Sequence, residues 1–442
     1  MGRISATKMS ILPKINYLFS MIPTQPTRIW FKSLDSIITK FYWENKTPRI
    51  KLTTLQKPKS QGGLEAPHFY NYFLANQLQN IYKWIQPNSS DYTWQDIEQS
   101  ICKDINISEL PFHSQTIQKH HCFKMPTIET TLTAWWKFHQ ITNSPLIPCK
   151  YTPIWNNLDF LANKKPLNFR TWADKGITQL QHIINNNNLA TFSHIAQTYS
   201  IGSNCFLEYL QIKSSIKSKL LNQPINLDLP PKISEFINIS SSKKLLSKIY
   251  KMISKSDNTL VLPTIKWESD LSITPNADFW TQICKNIYSM TRNANLQLIQ
   301  YKVLHRTHLT GQKLFKMGFT SETCSHCTQN TPDTYLHALW HCTSIKTFWE
   351  KVTNSLSNFM GCHIPLSPSL CILGDISTID INNSNGQLLL VFLTIAKKTI
   401  LMNWKSRNTI CISSWKNLLT EYISIEDPLC LESFPNNIFI SM

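Results

Sequence analysis

Four residues in the last third of the chain constrain its fold more than any other feature: Cys324, Cys327, His337 and Cys342, spaced Cys-x2-Cys-x9-His-x4-Cys. A Cys-x2-Cys turn sets two thiolates on one side of an ion. A His and a Cys five residues apart converge on it if they share a helical turn or its end. Three sulfurs and one imidazole are the donor set that zinc takes in tetrahedral structural sites. Such an ion replaces a core that so small a segment could not build. The spacing alone also admits a plainer arrangement, two buried thiols and an exposed imidazole. His326 and His341 compete for the histidine position. Phe315, Phe319, Tyr335, Trp340, Phe348 and Trp349 surround the cluster. Packing around a minimal metal core is the first expectation for them, base stacking the second.

The other cysteines are scattered along the chain, which argues for reduced thiols and against a secreted disulfide framework. Lys and Arg outnumber Asp and Glu by 44 to 27, a formal charge of +17. That excess favours a polyanionic partner, nucleic acid before acidic membrane. The basic side chains cluster most densely at Lys46, Arg49, Lys51, Lys57 and Lys59, with no acid between Glu44 and Glu65. No Asp-Asp pair occurs anywhere, so clustered carboxylates of the kind that hold two ions for nucleotidyl transfer are not expected. No phosphate-binding glycine loop and no Gly-x-Ser-x-Gly is present. The apolar run Leu388–Ala396 stops at Lys397-Lys398, short of the roughly 20 residues of a membrane span.

Hydrophobic spacing predicts a mainly helical chain. Residues 1–45 read as helical. Pro26 suits a first turn, and Trp30, Leu34, Ile37/Ile38 and Phe41 form the apolar stripe. Residues 46–65, with two prolines and Gly62-Gly63, read as extended and turning. Further helices are expected from about Phe69 to Trp84, around Leu132–Ile141, over Phe206–Leu220, over Lys243–Ser254, and as one helix over Asp278–Tyr301. A long amphipathic stretch runs from Leu389 to Trp404. Residues 223–240, centred on Pro230-Pro231, are the best linker candidate.

Several stretches in order resemble one family. The opening GRISATKMSILPKINYLFSMIP and the following LDSIITKFYWENKTPRIKLTTLQKPKSQGGLEAPHFYNYFLANQL look like the segment just after the polymerase palm in LINE-1-type open reading frame 2 proteins. FRTWADKGITQLQHIINNNNLATFSHIAQTYSI and FLEYLQIKSSI resemble the helical stretch that follows. LIQYKVLHRTHLTGQKLFKMGFTSETCSHCTQNTPDTYLHALWHCTSIKTFWEKV is similar to that family's C-terminal zinc-binding region, and AKKTILMNWKS with Trp415 to its closing helix.

The resemblance implies a mainly α chain: a thumb-like region at 1–100, a helical connecting region at 101–240, and a C-terminal helical segment at 241–442 with the zinc knuckle at 324–342. It puts Cys324, Cys327, His337 and Cys342 on the family's zinc-ligand positions, for one structural zinc. It implies a non-catalytic, intracellular (cytoplasmic or nuclear) module, neither secreted nor membrane-bound. Its partners would be RNA and RNA–DNA or DNA duplex backbone, along with the polymerase and endonuclease domains of a parent protein. In such a parent it would support target-primed reverse transcription. The residues expected at phosphates are Lys46, Arg49, Lys51, Lys57 and Lys59, then Lys302, His305 and Arg306. The competing expectation is a free-standing zinc-knuckle adaptor that binds a protein.

Overall fold

The structure, a computed structural model, describes residues 1–442 except 23, 87–92, 146–147, 186, 221–226, 241–242, 255–259, 328, 405–409 and 427–442. Helices dominate it. Among the described residues the only strands are two two-residue hairpins, Leu161–Ala162 with Lys165–Pro166 and Ile184–Asn185 with Asn188–Leu189. The chain forms two compact units, each assembled from separate stretches. One takes residues 1–8, 37–67 and 259–442; the other takes 9–36 and 68–258.

The second unit is organised on the helix Phe69–Ile85. Phe73, Leu78 and Ile81 are fully buried along it, as their spacing predicts. It packs against the helices Leu12–Met21, Pro126–Ile141 and Leu245–Ser254, and Tyr72 stacks on Tyr250 with ring centroids 4.0 Å apart. A satellite core lies over residues 154–216, around Trp172. The indole N–H of Trp172 donates to the Glu208 carboxylate at 2.7 Å.

Three expectations are corrected here. The helix Arg28–Trp43 forms, with Ile38 buried as expected, but Phe31 is its other buried residue, while Trp30, Ile37 and Phe41 are exposed. The stripe is rotated by about one residue. Part of the expected linker is the helix Pro231–Ile237, with Ile233 and Phe236 buried. Pro231 sits at its first turn, where a missing N–H costs nothing. Residues 223–226 of that linker lie outside the described residues. The expected single helix Asp278–Tyr301 is two, Phe279–Ser289 and Ala294–Leu304. The Asn293 side chain accepts from the backbone N–H groups of Asn295 and Leu296 and so starts the second one.

The first unit is built around the helix Asn383–Met402, capped by the Asn382 side chain. Its length and apolar composition are those of a membrane span, yet its residues are buried within the unit. Leu389, Phe392, Leu393, Ala396 and Ile400 are all inside. It is therefore apolar all round rather than amphipathic, as a core helix is. Two side chains satisfy the Ile372 carbonyl of the neighbouring turn, Gln300 Nε2 at 3.1 Å and Lys397 Nζ at 3.2 Å.

Lys397 is 1% exposed, and burial pushes its amine down to about 7. The unfolded chain, with an ordinary lysine pKa near 10.4, then binds more protons than the folded chain between about pH 7 and pH 10. Stability should rise with pH across that window. Lys397→Met removes a buried charge and keeps the volume. It should stabilise the protein by about 1–4 kcal/mol near pH 6, with the gap narrowing by pH 8.5. Urea unfolding of both proteins at the two pH values measures this.

Candidate metal centre and basic cleft

The Cys/His cluster is assembled from a narrow loop and one unusual turn. Thr323 and Pro332 form an antiparallel bridge, and Cys324 N–H donates to the Thr331 carbonyl at 2.9 Å. This closes the loop from Thr323 to Pro332 that carries Cys324 and Cys327. The His326 backbone N–H points at Cys324 Sγ, 3.4 Å away. On the other side, residues His337–His341 form a π-helical turn. Cys342 N–H donates to the His337 carbonyl at 2.9 Å, so residues five apart stand one above the other.

The ligand atoms of Cys324, Cys327, His337 and Cys342 all lie within 4.8 Å of one another. Cys324 and Cys342 sulfurs are 4.0 Å apart, and Cys327 Sγ is 3.6 Å from His337 Nε2. A tetrahedron of bonds about 2.3 Å long has edges of roughly 3.8 Å, so these residues can hold a metal ion. The competing histidines stand aside: His341 is exposed, and His326 Nε2 faces the Trp404 carbonyl at 3.4 Å. Of the surrounding aromatics, Tyr335, Phe348 and Trp349 are buried as packing, while Phe315 and Phe319 are exposed.

The basic residues divide in a way their linear order hides. A cleft of about 1190 Å³ opens in the first unit. Arg3, Lys46, Arg49, Lys302, Arg306 and Lys313 line it, against a single acid, Glu44. Lys46 and Arg49 thus meet Lys302 and Arg306, more than 250 positions away. Arg3 and Lys313 were not anticipated. Arg3 is tied to the Glu44 carboxylate at 3.0 Å, while Lys313 Nζ donates to the Arg306 carbonyl at 2.9 Å.

Lys51, Lys57 and Lys59 do not line the cleft; the Lys59 ammonium instead lies 4.6 Å from the Tyr288 ring centroid. The loop that carries them closes on Gly62, at φ +88°, and on Gly63, where a Cβ would stand 1.9 Å from the Lys57 carbonyl oxygen. His305 is also off the cleft. Its Nε2 donates to the Gly62 carbonyl at 2.8 Å, and burial pushes its pKa down to about 4. It is a structural, neutral imidazole.

The cleft charges act on one another. Lys302 is held below its ordinary pKa by burial first and then by Arg49 and Lys46. Lys313 is lowered by burial and then by Arg306, Lys266 and Arg49. Arg306 has a 7% exposed side chain and pairs with Asp270 through Nη2 at 2.5 Å. Its guanidinium carbon lies 4.4 Å from the Trp267 centroid and 4.9 Å from that of Tyr335. Its backbone is left-handed, φ +53°, a conformation a non-glycine residue adopts only when its surroundings enforce it.

No known family model matches the chain.

Cobalt(II), a spectroscopic reporter of tetrahedral thiolate sites, should bind once per chain. His337→Ala should weaken cobalt binding and shift the visible ligand-field bands of the tetrahedral site, whereas His326→Ala and His341→Ala should leave both unchanged. Bands shifted by His326→Ala would redraw the ligand set.

Proposed function

We propose that the chain is the non-catalytic, nucleic-acid-binding C-terminal part of a LINE-1-like reverse transcriptase, intracellular, with one structural zinc ion. The reading rests on the resemblance of its colinear segments to that family. The observation that carries it is the cleft, in which six basic residues from distant segments converge on one lining acid, Glu44, with Asp270 paired to Arg306. Fixed cations that depress one another are relieved by a polyanion, and a phosphate chain supplies charge at regular spacing. RNA and the backbones of RNA–DNA or DNA duplexes are the partners this predicts. In a parent polymerase the module would hold template or primer during target-primed synthesis.

Zinc fits the three-sulfur, one-nitrogen donor set. Held by Cys324, Cys327, His337 and Cys342, it would fix the loop against the helix Thr343–Met360, which begins at the last ligand. Its contribution there is cohesion alone. The freshly reduced protein should contain about one zinc per chain by elemental analysis. Replacing Cys324 and Cys327 with Ser should release it and speed amide exchange over residues 310–350; protein without stoichiometric metal would refute the knuckle.

Binding should weaken steeply with salt, by about 0.9 in log affinity per log salt for each duplex phosphate contact and about 0.7 on single strands. Lys46→Ala, Arg49→Ala and Lys302→Ala together should flatten that slope by roughly two to three units, and Lys51→Ala, Lys57→Ala and Lys59→Ala together by less than one. Titration of labelled RNA at several salt concentrations measures both. An adaptor would instead use exposed apolar residues such as Tyr17, Met21 and Ile29, and its partner binding would be nearly insensitive to salt.

A further inference from the structure

We infer that the basic cleft takes an unpaired strand of nucleic acid, with backbone phosphates on Arg49, Lys302 and Arg306 and an unstacked base against Trp43, rather than a duplex. This rests on the nucleic-acid reading above and names its substrate class.

Three observations carry it. The first is depth. Arg306 lies in the cleft wall yet its side chain is more than nine-tenths buried, and Lys302 and Lys313 are partly buried. A duplex presents its phosphates on a stiff convex cylinder about 20 Å across and meets exposed cations. A single strand bends at every nucleotide and can enter a concavity.

The second is composition. Between the cations the wall is apolar: Tyr42, Trp43, Ile50, Leu298, Leu309 and Met317. The bases of a duplex are stacked on one another and cannot use such a surface. An unpaired base gains from aromatic and apolar contact irrespective of sequence. The volume also exceeds the roughly 300–1,000 Å³ of ordinary small-molecule pockets, which suits a few linked nucleotides better than one metabolite.

The third is a pair of unpartnered donors. The Trp43 indole N–H and Arg306 Nη1 are buried without a hydrogen-bond acceptor, and both residues line the cleft. Buried donors of this kind are costly unless something meets them. The Arg306 guanidinium sits in the corner formed by Trp267 and Tyr335, whose planes cross at 77°, and its Nη2 is engaged by Asp270. The remaining Nη1 has no acceptor, and a small side-chain shift toward the cleft would bring it to an anionic phosphate oxygen. The neutral Trp43 N–H suits a base carbonyl. An ordinary anion would satisfy the first donor and leave the second and the apolar wall unused.

The test uses the full chain with a 20-nucleotide oligouridylate carrying one 4-thiouridine, and with an RNA hairpin duplex of matched phosphate number. The expected results are tighter binding of the single strand at 150 mM salt, and ultraviolet crosslinks on peptides containing residues 42–50 or 294–317. Trp43→Phe keeps the ring and removes the N–H. It should weaken oligouridylate binding about three- to tenfold and hairpin binding less than twofold. Lys302→Gln should reduce the single-strand salt slope by about 0.7. Circular dichroism confirms that both variants are folded. Equal affinity for hairpin and single strand, equal loss on both with Trp43→Phe, or crosslinks confined to other segments would overturn the inference while leaving the nucleic-acid reading standing. No salt-sensitive binding to either would overturn both.

Discussion

The first unit hinges on the last turn of the helix Ala294–Leu304. Three consecutive residues there are each held from outside the helix. The Val303 carbonyl accepts the Tyr335 hydroxyl at 3.2 Å, and the Leu304 carbonyl accepts the Trp267 indole at 2.9 Å. His305 reaches the Gly62 carbonyl. A helix end normally leaves its final carbonyls to water; here they are buried and matched one by one. The chain then turns through a left-handed Arg306 whose side chain lies against the same Trp267 and Tyr335 that hold the carbonyls. The geometry of the cleft's deepest cation is therefore fixed by the helix terminus.

That arrangement also joins the cleft to the metal centre. Tyr335 stands two residues before His337 and touches Val303, Arg306 and, by its ring, Trp404. Trp404 in turn donates to the Leu309 carbonyl and receives His326 from the Cys-x2-Cys loop. An ion that fixes Cys324, Cys327, His337 and Cys342 fixes Tyr335 through the chain, and Tyr335 positions the guanidinium. The Cys/His cluster and the basic cleft are thus neighbours in one packed network, coupled through contacts and without shared residues.

What could be read from the sequence follows from what each signal measures. The Cys/His cluster that can hold a metal ion was legible because spacing along a short segment is nearly the geometry itself. Only the choice among His326, His337 and His341 needed the π-type turn. The helix Phe69–Ile85 was legible because its apolar spacing reports one buried face. The helix Arg28–Trp43 was read with its buried face turned by about one residue because it is apolar on several sides, and the break at Asn293 was passed over because apolar residues recur on both sides of the polar stretch Thr291-Arg292-Asn293. The cleft was only half legible. Clustering picked out Lys46 and Arg49, which line the cleft, but could not separate them from Lys51, Lys57 and Lys59, which do not, since the short helix Leu52–Gln56 and the turn after it break up the linear run. Arg3 and Lys313 carry no local signature at all, and His305, chosen for its charge, is a neutral structural group.

The interleaving of the two units has a consequence for how the chain comes off the ribosome. Residues 1–8 and 37–67 belong to a unit whose remainder starts at residue 259. At about 5–20 residues per second, the intervening stretch takes roughly 10–40 s to synthesise. Throughout that interval Ile50, Leu55 and Leu64, which end up in a core with Trp267 and Trp280, have only Ile4, Ala66 and their immediate neighbours from their own unit and lack most of that core. The second unit can complete itself meanwhile, because all of its residues precede 259. Birth order is thus the reverse of what the N-terminal position of those segments suggests, and it leaves an early, apolar, strongly basic loop waiting for a late partner.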